Sequence, residues 1–382
     1  MSSRIDWKEV HSKFPVNREC IWLNNSGTTP ASDYVLEAVA SYMEEYSRKS
    51  VLTEQISIGK TKESICRILS ELFKCRPEDI ALIHNTSEGL NLVSLGMDLH
   101  SGDEILLLEN EYPSNVYPWE HWQDKGVSLS FLPMSLSQEE FYENAKGKIS
   151  GRTRVISVSA VHWCTGMPLP VRELAELCRE RGIFLVVDAA QGAGHVSLDI
   201  GWGIDFMAFS AWKWLLGPVG MGILIVPREK LSSLKPVFKG TESVINDKEY
   251  LPYKRELKPN AGRYMYSTGS YLDWVYFDAS LKFLSSLGFD TVKERIYELA
   301  EYLSNRLREV GFKVLSDSFD ERRTGIVVAS REEVDSRRLV KELLDRNIVV
   351  KERLGRIRFS PHIYNSFEQL DRTAEEIKSL IA

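Results

Sequence analysis

The strongest constraint on the fold is a regular alternation of short apolar runs and helical segments between residues 79 and 226. Apolar runs of strand length recur at 79–84, 104–110, 127–133, 154–161, 183–190, 206–212 and 222–226. Continuously apolar strands separated by helices are typical of a parallel sheet that is covered on both faces. Such sheets bind ligands beyond the carboxyl ends of their strands, so we expect functional residues just after these runs.

The helices between the runs can be placed from their polar starts and glycine ends. We expect an amphipathic helix over 87–97, one beginning near Ser114, and one opened by Ser137 as its N-cap. A further helix over 172–182 ends at Gly182, where a left-handed C-cap residue would sit.

A chain of 382 residues is too long for one ordinary core, which predicts two domains. Past residue 270 the pattern changes to long helical sequence, interrupted near Gly288, followed by short strands. We therefore predict an α/β protein with a large, mainly parallel domain over 21–265. A smaller α/β domain would combine 1–20 with 266–382. No low-complexity linker separates the two parts.

Composition excludes several classes of function. The net charge of −6 gives no indication of a nucleic-acid surface. The charged N-terminus lacks the apolar core of a signal peptide, and no apolar run reaches the ~18 residues that span a membrane, so we expect a cytoplasmic protein without a membrane partner. The five cysteines are scattered with no CxxC pair, so neither a metal site nor a disulfide framework is expected.

Lys213 stands alone as a charge in the stretch FSAWKWLLGPVGMG, residues 209–222. Two interpretations are open for a lysine between two tryptophans. Its stem could be buried with the ammonium group in water. Alternatively, the amine is desolvated, has a lowered pKa and is poised for carbonyl chemistry.

One acidic and one amide side chain, Asp188 and Gln191, stand at the end of the apolar run 183–190. Asp188 could simply cap the strand end. It could instead pair with a protonated ring nitrogen while Gln191 donates to a ring oxygen, which is the environment that keeps pyridoxal phosphate an electron sink.

The stretch HNTSEGLNLV, residues 84–93, joins a strand to a helix through Asn, Thr and Ser. An ordinary N-cap explains it. The functional alternative is a phosphate held by the helix N-terminus and by the hydroxyls of Thr86 and Ser87. Together with Lys213 and Asp188, the three motifs form one constellation, which favours the functional interpretation of each.

The order of these motifs resembles the aminotransferase class V family of pyridoxal-phosphate enzymes. The resemblance runs from WLNNSGTTP (22–30) to RFSPHIYN (358–365), and is most specific in DAAQ and SAWKWLLGPVGMG. It is similar above all to the branch with isopenicillin N epimerase-like proteins and cysteine desulfurases. The resemblance implies fold type I and pyridoxal 5′-phosphate as the cofactor.

The resemblance also implies roles for single residues. Lys213 would form a Schiff base with the cofactor and shuttle protons, Asp188 would pair with the pyridine nitrogen, and Gln191 with the phenolic oxygen. The remaining cofactor contacts implied are the phosphate ligands Thr86, Ser87 and Ser210, the stacking ring of Tyr112, and Thr268. The indole N–H of Trp212, which departs from the family pattern, can still donate to the phosphate.

Thr268 matches a phosphate contact that crosses from the partner subunit, which implies a homodimer with shared active sites. Arg358 matches the arginine that grips the α-carboxylate of an amino-acid substrate. Asn25 and His162 are further candidates for substrate contacts. Tyr112 as a packed aromatic, Arg358 as a surface residue and His162 as a satisfied core histidine remain alternatives.

Two departures from the family pattern matter. Trp212 replaces the histidine that usually precedes the lysine, and an indole can donate a hydrogen bond but cannot accept one or titrate. Desulfurases carry a nucleophilic cysteine in the C-terminal third, whereas no cysteine follows Cys178 here. Cys164 lies in another loop and is interpreted as structural, so a persulfide-forming desulfurase is disfavoured.

The sequence therefore predicts a pyridoxal-phosphate enzyme that acts on an amino acid. Transamination is the first expectation because it requires no residue beyond those present. The alternatives are a C–S β-lyase acting on cysteine or cystine and an amino-acid epimerase. A non-catalytic binding protein is disfavoured by the retained Lys213, Asp188, Gln191 and Arg358.

Overall fold

A computed structural model describes residues 5–53, 58–245, 249–253, 256–319 and 324–382. Its strands are β1 (Ile21–Trp22), β2 (Ile80–Ile83), β3 (Glu104–Leu108), β4 (Ser128–Leu132), β5 (Thr153–Ser159), β6 (Phe184–Asp188), β7 (Phe206–Ser210), β8 (Gly222–Ile225), β9 (Lys313–Val314), β10 (Val327–Ser330), β11 (Ile348–Val349), β12 (Lys351–Arg353) and β13 (Arg356–Phe359).

The α-helices of the described residues alternate with these strands. They are α1 (Trp7–Ser12), α2 (Asp33–Lys49), α3 (Val51–Thr53), α4 (Gly59–Phe73), α5 (Thr86–Gly96), α6 (Tyr117–Glu120), α7 (Gln138–Lys148), α8 (Val171–Arg181), α9 (Tyr271–Leu287), α10 (Phe289–Glu309), α11 (Ser336–Asp345) and α12 (Phe367–Ile381). None of these described helices has the length and apolarity needed to cross a bilayer.

The apolar runs of the sequence form a seven-stranded sheet in the order β2-β8-β7-β6-β5-β3-β4. Strands β3 to β7 pair in parallel, as expected. Strand β8 is antiparallel to both β2 and β7, so the expectation of parallel pairing is wrong for 222–226. A parallel return needs a crossover of a dozen or more residues, whereas 211–221 turns the chain back directly. Because β8 is antiparallel to each of them, β2 and β7 point the same way.

Local predictions for the helices are mostly confirmed. The Ser137 hydroxyl accepts the Glu140 N–H at 3.2 Å, and Gly182 takes the left-handed conformation with φ 66°. Gly288, with φ 81°, separates α9 from α10. The helix expected near Ser114 is instead a short 3-10 turn over Pro113–Asn115 followed by the single turn of α6.

The C-terminal part forms a second sheet, antiparallel, in the order β12-β13-β10-β9. Helices α10 and α12 pack together beside it and share a hydrophobic cluster with it, separate from the larger cluster around the seven-stranded sheet. Strand β1 pairs in parallel with β11, so residues 21–22 also contact this part. The domain limits given above stay a prediction.

Candidate active site

One edge of the large sheet gathers the ends of several strands. Strands β6 and β7 end at Asp188 and Ser210, and β2 leads directly into α5, which begins at Thr86. Because these strands point the same way, the three side chains meet at one edge. Lys213 follows β7 by three residues and joins them.

The turn after Lys213 holds the lysine at this edge. The Leu216 N–H donates to the Lys213 carbonyl at 3.2 Å, and Leu216 takes a left-handed φ of 54°. The Gly217 N–H closes the turn on the Ala211 carbonyl at 2.9 Å. A Cβ on Gly217 would lie 2.6 Å from the Ala211 Cβ, so the sequence GP after the lysine reflects a close backbone approach.

A cavity of about 320 Å³ opens above this edge. Nine of the expected site residues line it: Thr86, Ser87, Tyr112, Asp188, Gln191, Ser210, Trp212, Lys213 and Arg358. Seven further residues complete its wall: Ser26, Gly27, Asn85, Ser114, Trp163, Ala190 and Arg353.

Hydroxyl groups surround the N-terminus of α5 at one end of the cavity. The Oγ1 of Thr86 lies 2.6 Å from the Oγ of Ser210, and the Oγ of Ser87 lies 2.8 Å from that of Ser114. The Asn85 side chain caps the helix by accepting the Glu88 N–H at 2.8 Å. Hydroxyl donors at a helix N-terminus match the needs of a phosphate group.

Asp188 and Lys213 face the cavity as a buried pair of opposite charge. One Asp188 oxygen accepts the Ala190 N–H at 2.8 Å, and the described residues provide no hydrogen bond to the other. Burial raises the pKa of Asp188, and the nearby carboxylate of Glu111 raises it further. Burial lowers the pKa of Lys213, against the opposing effect of Asp188. A lysine with a lowered pKa supplies more of the free amine that carbonyl chemistry needs.

Two arginines from the C-terminal hairpin reach the same cavity. Arg358 is only 2% exposed and donates to the Trp163 carbonyl at 2.7 Å. Its Nε and that of Arg353 are buried without a hydrogen-bond partner in the described structure. Burial lowers the pKa of Arg358 to about 10, which leaves it charged at neutral pH. Unpaired guanidinium donors at a cavity wall favour an anionic ligand such as a carboxylate.

Aromatic side chains form the cavity mouth. The rings of Tyr112 and Trp163 meet edge to face with centroids 5.6 Å apart. The Nζ of Lys213 lies 5.9 Å from the Tyr112 centroid, and Arg353 lies over the Trp163 ring at 5.7 Å. A flat ligand attached to Lys213 would therefore have Tyr112 within stacking reach.

Three expected site residues do not line the cavity. Thr268 lies exposed in a separate pocket with His84 and Gly269. The ring nitrogens of His162 lie 2.9 Å from the Thr165 hydroxyl and 3.0 Å from the Asn110 carbonyl, which corresponds to a satisfied core histidine. Asn25 is buried behind the neighbouring Ser26, and its oxygen accepts the Tyr364 hydroxyl at 3.1 Å.

Sequence reasoning missed Glu111, whose buried carboxylate accepts bonds from the backbone of Tyr112 and from both the N–H and hydroxyl of Ser159. It ties the Tyr112 loop to the strand beside Asp188. Ser114 and Arg353 were also missed. The polar run NEYPSN and the paired arginines of the hairpin were the available indications.

The residues of this cavity fit pyridoxal phosphate. The hydroxyls around α5 suit its phosphate, the free Asp188 oxygen suits its ring nitrogen, and Lys213 suits its aldehyde. None of the described residues that line the cavity is a cysteine. Burial raises the pKa of the Cys164 thiol, which lies behind the wall near His162, to about 11.

The chain is similar to known proteins over nearly its whole length. The family model "Aminotransferase class-V" matches residues 21–372. A probable cysteine desulfurase of Pyrococcus abyssi is 27% identical over 395 residues, covering 98% of this chain and 97% of the relative.

Two solved structures of C-DES have the same fold. One, a mutant with glycine covalently linked to the pyridoxal-phosphate cofactor, has a TM-score of 0.90 at 23% identity over 96% of this chain and 98% of that one. The other, the cystine C–S lyase C-DES with its product cysteine persulfide, has a TM-score of 0.89 at 23% identity over 96% and 99%. Fold type I is thus confirmed. The chain belongs to the aminotransferase class V family of pyridoxal-phosphate enzymes.

Proposed function

We propose that this enzyme is a pyridoxal-phosphate-dependent lyase that cleaves the Cβ–S bond of cystine or a closely related sulfur amino acid. The observation that carries the proposal is a cavity in which Arg353 accompanies Arg358 while no described lining residue is a cysteine. The names of similar proteins refer to sulfur amino acids: one is a probable cysteine desulfurase, and another is a cystine C–S lyase. They favour the lyase alternative over transamination.

The two arginines suit a substrate with two carboxylates. Arg358, which is deeper, would bind the α-carboxylate of the half that reacts, because a guanidinium can hold both oxygens at once. Arg353, nearer the mouth, would bind the carboxylate of the distant half. Cystine has both groups, whereas most amino acids have only the first.

Each remaining residue has a role that follows from its position. Bound pyridoxal phosphate supplies the electron sink for the pair left when the Cα proton departs. Lys213, with its lowered pKa, takes that proton, while the Asp188 carboxylate keeps the ring nitrogen charged. The Cβ–S bond of cystine would then break with its electrons on sulfur, so that the other half leaves as cysteine persulfide. Water would hydrolyse the remaining three-carbon enamine to pyruvate and ammonia.

This route needs no cysteine nucleophile. A desulfurase passes sulfur to an enzyme thiolate, and the raised pKa of Cys164 keeps that buried thiol protonated at neutral pH. Elimination instead releases sulfur on the leaving group, which suits a cavity without a thiol.

Product analysis of the cofactor-loaded enzyme tests the proposal. With L-cystine and no reductant, one pyruvate and one ammonia are expected for each cystine consumed, with sulfur recovered as persulfide. Alanine as the product from cysteine would support a desulfurase instead. Formation of an amino acid from an added 2-oxo acid would support an aminotransferase. Loss of optical activity without net reaction would support an epimerase.

Matched arginine variants test the choice of substrate. Arg353→Gln should raise the KM for cystine about tenfold or more, since one charge-assisted contact is lost. It should change the KM for S-alkyl cysteines, which have one carboxylate, far less. Arg356→Gln is the control, because Arg356 is exposed and pairs with Arg353 across the same hairpin. Equal effects on both substrate classes would contradict a second carboxylate site.

The same proposal includes a homodimer in which Thr268 contacts the phosphate of the partner subunit. It is supported by the exposure of Thr268 outside its own cavity and by the exposed side chains of Phe238, Tyr250, Leu251 and Tyr253. Mixing inactive Lys213→Ala subunits with weakened Thr268→Glu subunits should restore one intact site in each mixed dimer. Failure to regain activity in dimers confirmed by mass would contradict shared sites.

A further inference from the structure

The residue after the reactive lysine makes a specific contact with the cavity wall. The indole N–H of Trp214 donates to the Oε1 of Gln191 at 3.1 Å. The Nε2 of the same amide donates to the Ser26 carbonyl at 2.8 Å. Trp214 itself does not line the cavity, whereas Gln191 and Ser26 do.

These contacts determine which way the Gln191 amide points. An indole nitrogen can only donate, so the atom that faces Trp214 must be the amide oxygen. The carbonyl of Ser26 can only accept, so the atom that faces it must be the amide nitrogen. This nitrogen has a second hydrogen, and no hydrogen bond to it is provided by the described residues. That hydrogen is available to a ligand.

Trp214 is held rigidly enough to impose this orientation. It is 1% exposed, and the His195 ring stacks on it at 3.8 Å with an interplanar angle of 22°. A Cβ on Gly325 would lie 2.6 Å from its six-membered ring, so that side is closely packed. The His362 Nε2 lies 3.2 Å from its carbonyl oxygen.

We propose that Trp214 is a positioning residue that keeps Gln191 a hydrogen-bond donor toward the cavity. The ligand atom at this place must then be an acceptor, and the phenolic oxygen of pyridoxal phosphate is the acceptor that a ligand on Lys213 would present. Of the proposed function, this inference requires only that pyridoxal phosphate binds at Lys213. It holds whether the enzyme eliminates, transaminates or racemises.

A measurable property of the cofactor follows. A fixed donor stabilises the negative charge on the phenolic oxygen, which makes it easier for the cofactor linked to Lys213 to lose its proton. The pH midpoint of the absorbance change of the bound cofactor is therefore low when Gln191 donates. Without the indole N–H, the Gln191 amide is held only by its bond to the Ser26 carbonyl. Its second N–H is then aimed less firmly at the phenolic oxygen, and the midpoint rises.

Absorbance titration of the holoenzyme without substrate tests the inference. Trp214→Phe keeps an aromatic ring between its neighbours but removes the N–H, and should raise the midpoint by about half a pH unit or more. Trp122→Phe is the matched control, because buried Trp122 donates to the Ser94 carbonyl at 3.1 Å and does not line the cavity. It should leave the midpoint unchanged.

Gln191→Leu separates positioning from a loss of packing. It should raise the midpoint at least as far as Trp214→Phe, and the double variant should shift it no further than Gln191→Leu alone. Additive shifts, or an unchanged midpoint in Trp214→Phe with the cofactor still bound, would overturn the inference. The titration measures no turnover, so its result can be interpreted even if the enzyme is not a lyase.

Discussion

The hydroxyl oxygens of Thr86 and Ser210 lie 2.6 Å apart, although 124 residues separate them in the chain. One begins α5 and the other ends β7, so this contact joins the helix N-terminus to the strand that leads to Lys213. The Thr86 N–H also lies 3.2 Å from the Ser210 hydroxyl. Three donors thus converge at the place where a cofactor phosphate would bind beside the lysine.

Removing either hydroxyl should weaken cofactor binding. Thr86→Ala and Ser210→Ala each remove a hydrogen bond to a charged group, so the Kd of pyridoxal phosphate should rise about 10- to 100-fold. Absorbance titration of the apoenzyme measures this change. Asn91→Ala in the same helix, which removes a bond to the Ser87 carbonyl, should leave the Kd within about twofold. Unaltered affinity in both hydroxyl variants would contradict the phosphate assignment.

Arg358 should serve the substrate and not the cofactor. Arg358→Lys keeps the charge but loses the planar pair of donors, so kcat/KM should fall about 100-fold with normal cofactor colour. Steady-state kinetics and the absorbance spectrum together check this. The exposed Arg356→Lys provides the control within the same strand. A loss of cofactor in the Arg358 variant equal to the loss of activity would count against the assignment.

The buried side chain of His362 should make the stability of the protein depend on pH. Burial lowers the pKa of His362 to about 3, from an ordinary 6.5. His362 is therefore protonated below about pH 6.5 in the unfolded chain, but only near pH 3 in the folded protein. Its contribution to the free energy of unfolding is complete above pH 6.5 and is lost as the pH falls, by at most about 1.4 kcal/mol per pH unit.

His362→Phe removes this titration while keeping the ring that stacks on Tyr364. Urea unfolding at pH 6.5 and 4.5 should show that the variant loses about 2 kcal/mol less stability than the wild type between these values. Parallel losses in the two proteins would mean that folded His362 titrates normally.

Much of the fold could be predicted because local sequence decides it. Each continuously apolar run from 79–84 to 222–226 coincides with a strand of the large sheet, and Gly182 and Gly288 end helices as their conformational freedom predicts. The direction of β8 could not be read from its composition, since Gly222–Ile225 is equally apolar in either direction. Only the length of the connection from β7 carried that information.

The cavity residues Asp188, Ser210 and Lys213 could be predicted because each ends a strand or follows one within three residues. Cavity residues were harder to predict where pairing between distant segments determines where a side chain lies. Arg353 reaches the cavity because β12 pairs with β13 and carries it beside the arginine that was recognised. His162 follows a strand in the expected way, but its ring turns to Asn110 and Thr165.

We propose that C–S cleavage depends on Lys213 and on no cysteine. Pyruvate formation from L-cystine by Lys213→Ala and Cys164→Ala holoenzymes separates the two dependences. We expect Lys213→Ala to lose at least about 1,000-fold in kcat, because the group that moves the proton is gone, while Cys164→Ala stays within about twofold. Full activity in Lys213→Ala, or loss of activity in a folded, cofactor-loaded Cys164→Ala, would contradict it.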